Sequence, residues 1–553
     1  MSKYLIRRSH RKLPQLEQEG PVIDGADGEP DAGRVSVSAL HGVNNVRNVI
    51  ANWGSFLLSA VAGLFLSPFV VHSLGASGYG VWVIIGSLTG SLGLLDLGIR
   101  SAVTRLVAKA HATAAHDEAS RIASTARAMY QVAGLVAVGV TLVLVLGLTS
   151  WFNIPPNMEV SSRIVLLVSG LSVAVLLATG LYSGTLAAVQ RLDVIGVVNI
   201  ATELMRVVLV LAVLNMGGGI VGLGAITLLL ILIRYRWQAV ACARCYPELR
   251  LTKVRPDRED IRTILDISIF ATLIYSMGTI SAQVGVYIMG AILPMSAVAM
   301  YAIGATLPSY AQALSLPIAQ VVLPQASRMD ALGSESGMQD LVLRSGRLGT
   351  LALLPVVLAF MTHGPTFIEI WMGREYRETS GKVLVVLSIT ALFGIARHVI
   401  QTVFVGAGKH RHLVPWYVAE AVVTATLSIL FVWRWGVIGA AWAVVMPGLV
   451  VSILVFPAML SRHYRMPVRR TILELWIRPL VAMGPYTIGC LCAAKYAQTN
   501  NYIGFFSQIL LLLPIAAVGA YAFGLTKDER ARVFEVMVAR FGSAVFRAFG
   551  GTK

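Results

Sequence analysis

A few charged side chains stand inside apolar sequence, and they are the residues whose types and spacing best suit chemistry. Arg397 and His398 lie deep in the run 382–405, which carries no Asp or Glu. Glu203 and Arg206 are three apart in another run, a spacing that puts both on one helix face, and Glu420 lies alone in a third. An ionisable group at mid-bilayer costs roughly 2.5–3.5 kcal/mol on insertion scales, so each needs a partner or a wet cavity. Paired helix clamps are one reading of Glu203 with Arg206. Arg397 either meets Glu420 or Glu203 across a cavity or stands ready for an anion. Phosphate suits it, because the guanidinium fork donates two hydrogen bonds at once. Asp96, Arg100 and Arg105 end a further run. They read as a gate at one membrane face or, equally, as a capped helix end with flanking cations. Glu474 and Arg478 lie near a run's end, where long side chains snorkel, and read as a structural pair. No grouping suggests a catalytic set.

The elements that must position these residues are apolar runs of about twenty residues, the length that crosses a roughly 30 Å hydrocarbon core. Fourteen are expected: 49–72, 78–98, 128–149, 162–185, 195–214, 217–237, 264–290, 296–324, 348–371, 382–405, 413–433, 436–458, 473–494 and 503–525. The expected fold is therefore an all-α polytopic membrane protein. Of 45 lysines and arginines, 36 fall in alternate gaps and the two tails. The exceptions are Arg163, Arg374, Arg377, Lys382, Arg434 and Lys495 in the other gaps, and Arg206, Arg397 and Arg478 within runs. The positive-inside rule then places both termini in the cytoplasm. A net charge of +17 on a chain 56% hydrophobic is explained by loops facing an anionic leaflet, so no nucleic-acid partner is expected.

Four cysteines make no disulfide framework, and the lone Cys242-x-x-Cys245 has no second pair nearby, so no metal is expected. Residues 1–45 lack an apolar signal core, and acidic, Gly- and Pro-rich sequence marks a disordered cytoplasmic tail. In the tail 527–553, Phe534, Met537, Phe541, Val545 and Phe549 recur at helical spacing among arginines, as in a helix lying on a membrane surface. Between the tails, the expected organisation is a first lobe 46–238, a cytoplasmic linker 239–262, a second lobe 263–460 and two extra spans in 461–526. A shift of 217 residues lays Glu203 on Glu420, Gly219 on Gly436 and Gly222 on Gly439. Six spans is an even number, so the lobes form a parallel repeat. Pro308, Pro317 and Pro324 interrupt span eight, with Pro355 and Pro447 in other spans, each permitting a kink.

The sequence Pro68-Phe69-Val70-Val71-His72-Ser73-Leu74-Gly75-Ala76-Ser77-Gly78-Tyr79-Gly80-Val81-Trp82, followed by Leu94-Leu95-Asp96-Leu97-Gly98-Ile99, carries a resemblance, as does Gly406-Ala407-Gly408-Lys409. Over residues 46–525 the chain resembles polysaccharide-type flippases of the multidrug/oligosaccharidyl-lipid/polysaccharide exporter superfamily. The resemblance implies a carrier of polyprenyl-diphosphate-linked sugars from the cytoplasmic to the outer leaflet of a bacterial inner membrane. It serves O-antigen or exopolysaccharide synthesis, alongside polymerase and export machinery. The cavity candidates are then Arg397, His398, Arg206, Glu203 and Glu420, with Arg397 on the diphosphate.

A cation-coupled multidrug exporter is the alternative outside this class, but 49–72 holds no acidic residue. A lipid II-type peptidoglycan precursor flippase is the alternative within it, yet only Arg47 stands near the first span. Enzyme activity is not expected: the longest outer loops are short, and Glu375 and Glu378 lie beside Arg374 and Arg377 as surface partners. No phosphate loop for ATP is present, so no cofactor is expected. A membrane potential supplies roughly 2.3 kcal/mol per charge per 100 mV, which could drive an anion outward.

Overall fold

The computed structural model describes residues 32–252, 257–497, 499 and 501–537. It separates into two compact units, Met1–Val49 and Ile50–Lys553. In the first, the described residues are helical. The second is one unit, not divided between the expected lobes. All regular structure among the described residues is helical.

The helices are α1 (Ala32–Leu92), α2 (Ile99–Ala112), α3 (His116–Trp151), α4 (Glu159–Ala188), α5 (Leu192–Asn215) and α6 (Gly219–Cys245). There follow α7 (Arg258–Ile292), α8 (Met295–Ala313), α9 (Leu316–Ala331), α10 (Glu335–Met372), α11 (Thr379–Gly406) and α12 (Val414–Val450). The chain closes with α13 (Phe456–Tyr464), α14 (Val468–Ile472), α15 (Arg478–Ala482), α16 (Gly484–Tyr496), α17 (Tyr502–Gly519) and α18 (Lys527–Met537). Three five-residue π-helical turns, Val451–Val455, Leu473–Ile477 and Ala520–Gly524, join α12 to α13, α14 to α15 and end α17.

Every expected run lies on helix, although ten segments qualify as spans singly and an eleventh as a pair bent by 45°. Two of the ten hold two crossings each. From Ile50, α1 would extend about 65 Å if straight, twice a bilayer core. Gly75 breaks it with φ 70° and ψ 167°, and Gly436 breaks α12 with φ 58° and ψ −134°. The second break reverses the chain: a Cβ on Gly439 would lie 2.0 Å from the Phe431 carbonyl oxygen, and Ser428 and Ala440 flank the same Gly285. The pair α8–α9 supplies span eight. Of its three prolines only Pro317 coincides with a break, at Leu314–Ser315, while Pro308 and Pro324 remain inside helix.

The turns before α5 and α12 close alike. Before α5, Arg191 N–H donates to Leu186 O (2.8 Å) and Gln190 N–H to Ala187 O (3.0 Å); before α12, Lys409 donates to Phe404 O (2.8 Å) and Gly408 to Val405 O (3.0 Å). Both are Schellman closures with a left-handed residue, Gln190 at φ 58° and Gly408 at φ 68°.

The basic gap after span two is more ordered than a loop. It contains α2, which buries Ile99, Ala102, Val103, Val107 and Ala110 and exposes Arg100, Arg105 and Lys109. The halves of the chain meet at the ends opposite the basic loops. There Asn153 N–H donates to Gly290 O (2.9 Å), and Ile84 and Phe152 close over Gly290. At the basic ends the start of α7 is tied to α2 and α3, through Ser268 Oγ to Leu97 O (2.9 Å) and Arg121 to the buried Asp260 (2.6 Å).

Candidate functional site

On α5 the exposed apolar residues Val197, Leu204, Val208 and Leu211 share one stripe. Arg206 lies two positions beyond Leu204, about 200° around the helix, so it points away from that stripe. Glu203 and the buried Thr202 and Val210 share this inner side. The ion pair is within the helix: Arg206 Nη2 to Glu203 Oε1 is 2.5 Å, and Nε donates to both oxygens at 3.1–3.2 Å. The guanidinium stays 41% exposed against 12% for the carboxylate. An arginine on the inner side of a membrane-crossing helix needs a further partner or a wet cavity.

Two further groups complete the cluster. Arg234 of α6 donates to Thr202 Oγ1 (3.2 Å) and feels the charge of Glu203. Tyr310 of α8 feels both Glu203 and Arg206, and its hydroxyl occupies the space over Gly63 of α1, where a Cβ would lie 2.1 Å away. The cluster thus sits where α1, α5, α6 and α8 converge. Glu203 is paired with Arg206, and the Arg234 guanidinium, bonded to Thr202, feels the same carboxylate at longer range. Arg234 counted in the sequence as a loop cation and Tyr310 as an ordinary span residue, so neither was singled out; a positive charge ahead of the end of span six was the available signal.

Arg397 is placed differently. Its Nη1 and Nη2 donate to Glu420 Oε1 (2.8 Å) and Oε2 (2.6 Å), a bidentate pair only 18% and 9% exposed. Tyr417 and Phe456 cover the guanidinium at 5.1 and 5.7 Å from their ring centres, and the Tyr417 hydroxyl bonds Gln401 (2.9 Å). Of the alternatives open in sequence, Arg397 meets Glu420. His398 turns its Nδ1 to Gly394 O at 3.3 Å on its own helix.

The structure does not join Asp96, Arg100 and Arg105 into an ion-paired gate. Asp96 accepts from the Tyr130 hydroxyl (2.6 Å), while Arg100 and Arg105 lie on the exposed face of α2. In the loop between α10 and α11, Arg377 pairs with Glu369 and Lys382 with Glu378 (3.3 Å), not the neighbours the sequence suggested.

Glu474 and Arg478 pair as expected at 3.2 Å, inside a larger network. The buried Arg347 of α10 bonds Glu474 and also Glu529 of α18, the latter at 2.7 Å. Arg478 donates to the carbonyls of Phe523 (3.1 Å) and Leu525 (2.8 Å) around the last π turn. Partial burial alone would raise the Glu529 carboxyl, but the Thr526 N–H and the Arg347 guanidinium hold it below its usual value. The signal was present in Thr526-Lys527-Asp528-Glu529, a capping box whose two reciprocal bonds measure 2.9 and 3.3 Å. Residues 541–549 of the expected amphipathic tail lie outside the described residues. The cysteines are free thiols, and no cluster of metal-ligating side chains occurs among the described residues.

Comparison with known proteins agrees with this architecture. A putative O-antigen transporter of Shigella flexneri is 19% identical over 408 residues, 72% of this chain and 94% of that protein. The structure of the lipid II flippase MurJ, in an inward closed conformation, superposes with TM-score 0.64 over 86% of this chain and 98% of its own, at 10% identity. An inward-facing multidrug resistance MATE transporter of the MOP superfamily superposes with TM-score 0.63 over 76% and 98%, at 14% identity. These likenesses establish the fold: a multi-span membrane protein built as MOP-superfamily transporters are. Residues 45–330 match the family model described as polysaccharide biosynthesis protein, and the chain belongs to that family.

Proposed function

We propose that the protein is a flippase that moves polyprenyl-diphosphate-linked oligosaccharide from the cytoplasmic to the outer leaflet of a bacterial inner membrane. It works by alternating access of two six-helix lobes, 46–238 and 263–460, with both termini in the cytoplasm. The observation that carries this reading is the inward-facing, half-exposed Arg206, with Arg234 beside it and one carboxylate between them. A diphosphate supplies the missing negative charge and accepts bidentate bonds from guanidinium. Glu203 then exchanges its ion pair for the cargo's, which lowers the cost of an empty cationic cavity. Arg397, already held at both terminal nitrogens, stabilises α11 against α12 and leaves direct phosphate contact to the first half of the chain. The contacts at the outer ends suit a state closed on that side, while the tie at the start of α7 holds the halves together at the basic side as well.

No cofactor is needed in this scheme: an anionic cargo moves outward down a potential negative inside. Equal flipping rates in proteoliposomes with and without an imposed potential would reject that drive.

The test of function is complementation of a cell lacking its polysaccharide-lipid flippase, comparing wild type with Arg206→Ala and Arg234→Ala at matched membrane levels. Wild type restores surface polymer and Arg206→Ala does not. Failure of the wild type against several lipid-linked glycans, with raised resistance to cationic dyes, would replace this reading by the multidrug exporter.

A further inference from the structure

Two loops far apart in sequence converge on the basic side of the molecule. The turn after α11 brings His412 against His463 at the end of α13, with ring centres 4.9 Å apart. Arg411 and Arg462 flank the two rings and are exposed, and among the described residues neither has a carboxylate within ion-pair distance. The nearest acid, Asp330, is taken by Lys409 at 3.0 Å, while Lys409 also lies over the Tyr464 ring at 4.8 Å. His412 sits below its ordinary pKa, through desolvation first and then through His463, Arg411, Arg462 and Lys409. The pocket therefore holds more positive charge than its own carboxylates balance.

Its surroundings indicate which anion it meets. Immediately beyond α13, Arg469 and Arg470 are exposed at the start of α14, and Val468, Leu473, Ile477 and Val481 continue as an exposed apolar stripe. On the other flank, Val418 and Val422 are exposed on one side of α12 just past the turn, and Trp416 is exposed about 200° around the same helix. Exposed cations at the ends of helices that carry exposed apolar residues form the profile of a surface meeting hydrocarbon below and headgroups above. A free soluble anion gains nothing from the apolar stripes; a phospholipid uses both parts.

We propose that Arg411, His412, Arg462 and His463 form a headgroup site, between α12 and α14, for an anionic phospholipid of the surrounding leaflet, with two-phosphate headgroups preferred. The two exposed guanidiniums, one from each loop, match two phosphates better than one, while the His463 ring is held by its Nδ1–H to the Met459 carbonyl (3.0 Å). The leaflet's identity as the cytoplasmic one rests on the orientation proposed above, but the chemistry does not.

Lipid retention measured by native mass spectrometry on the purified full chain tests this without requiring flipping activity. Delipidated protein is titrated with cardiolipin, phosphatidylglycerol, phosphatidylcholine and a polyprenyl diphosphate. Wild type should hold cardiolipin in preference to phosphatidylcholine, and Arg411→Ala/Arg462→Ala should lose about thirty-fold of that preference, two interfacial arginines' contribution. Arg469→Ala alone should lose less, which guards against a misfolded double variant, as does an unchanged elution profile. Equal retention by wild type and the double variant overturns the proposal. Polyprenyl diphosphate held more tightly than cardiolipin also overturns it, by making the pocket a station for cargo. Failure of complementation leaves the result untouched, so the two readings fail separately.

Discussion

Glu203 and Glu420 stand 217 residues apart, each in a helix entered through the same Schellman turn, yet their charges are handled in opposite ways. Glu203 pairs along its own helix with Arg206, which stays half-exposed, whereas Glu420 pairs across helices with Arg397 under two aromatic rings. At the same shift, Arg206 corresponds to Val423 and Arg397 to Gly180. Each half has kept the acid and placed its base on a different helix. A base on a neighbouring helix fastens two helices together; a base on the same helix fastens nothing and remains available. Under the proposed function, the first pair would serve binding and the second would serve structure.

The strongest way to break this comparison is to remove one partner of the sealed pair. Arg397→Ala should cost about 3–5 kcal/mol by stranding a buried carboxylate, seen as loss of folded protein from the membrane. The double variant Arg397→Ala/Glu420→Ala should recover part of that loss. If Arg397→Ala accumulates normally and only transport fails, the roles of the two halves are reversed.

Next in size is the open pair. Arg206→Ala should leave protein levels unchanged while cargo affinity falls about ten- to hundred-fold, the worth of a charged hydrogen-bond pair. Glu203→Gln should instead tighten binding of the anionic cargo, measured with a diphosphate lipid in detergent.

The turns sharpen the comparison at smaller scale. Gln190 carries a left-handed backbone that Gly408 adopts freely, so Gln190→Gly should raise thermal stability by about 1 kcal/mol and Gly408→Gln should lower it by a similar amount. Matching signs at both sites would show that the turns are not equivalent.

The smallest effect concerns a third charge cluster, in which Glu529 of α18 meets the end of a span through Arg347. Glu529 is lowered in the folded state, so its contribution is present above its unfolded pKa and is lost as pH falls through the folded value. Hydrogen exchange across α18 should therefore accelerate below about pH 4.5, and Glu529→Gln should show fast exchange already at neutral pH.

Much of this was legible along the chain. The helical runs followed from apolar run length, a local property. The hairpins at Gly75 and Gly436 were implied once twenty-residue runs had to turn back across a bilayer. Partner choice was not legible: nothing in the sequence said whether Arg397 faces Glu420 or Glu203, because α11 and α12 meet only through packing. Arg234 was counted with the loops since a basic residue near a span end has the same sequence signature whether it faces lipid headgroups or the molecule's interior. Asp96 and Arg100 were read with Arg105 as a gate or a capped helix end; the left-handed Leu97 and Gly98 between them redirect the chain into α2.

The sequence by itself determined that the chain crosses a membrane many times, where it crosses and which ends carry the positive charge, because hydrocarbon thickness and interfacial charge act on each segment independently. Only the tertiary structure decided which arginine is sealed and which is left open, because desolvation and partner geometry depend on the helices that surround a charge.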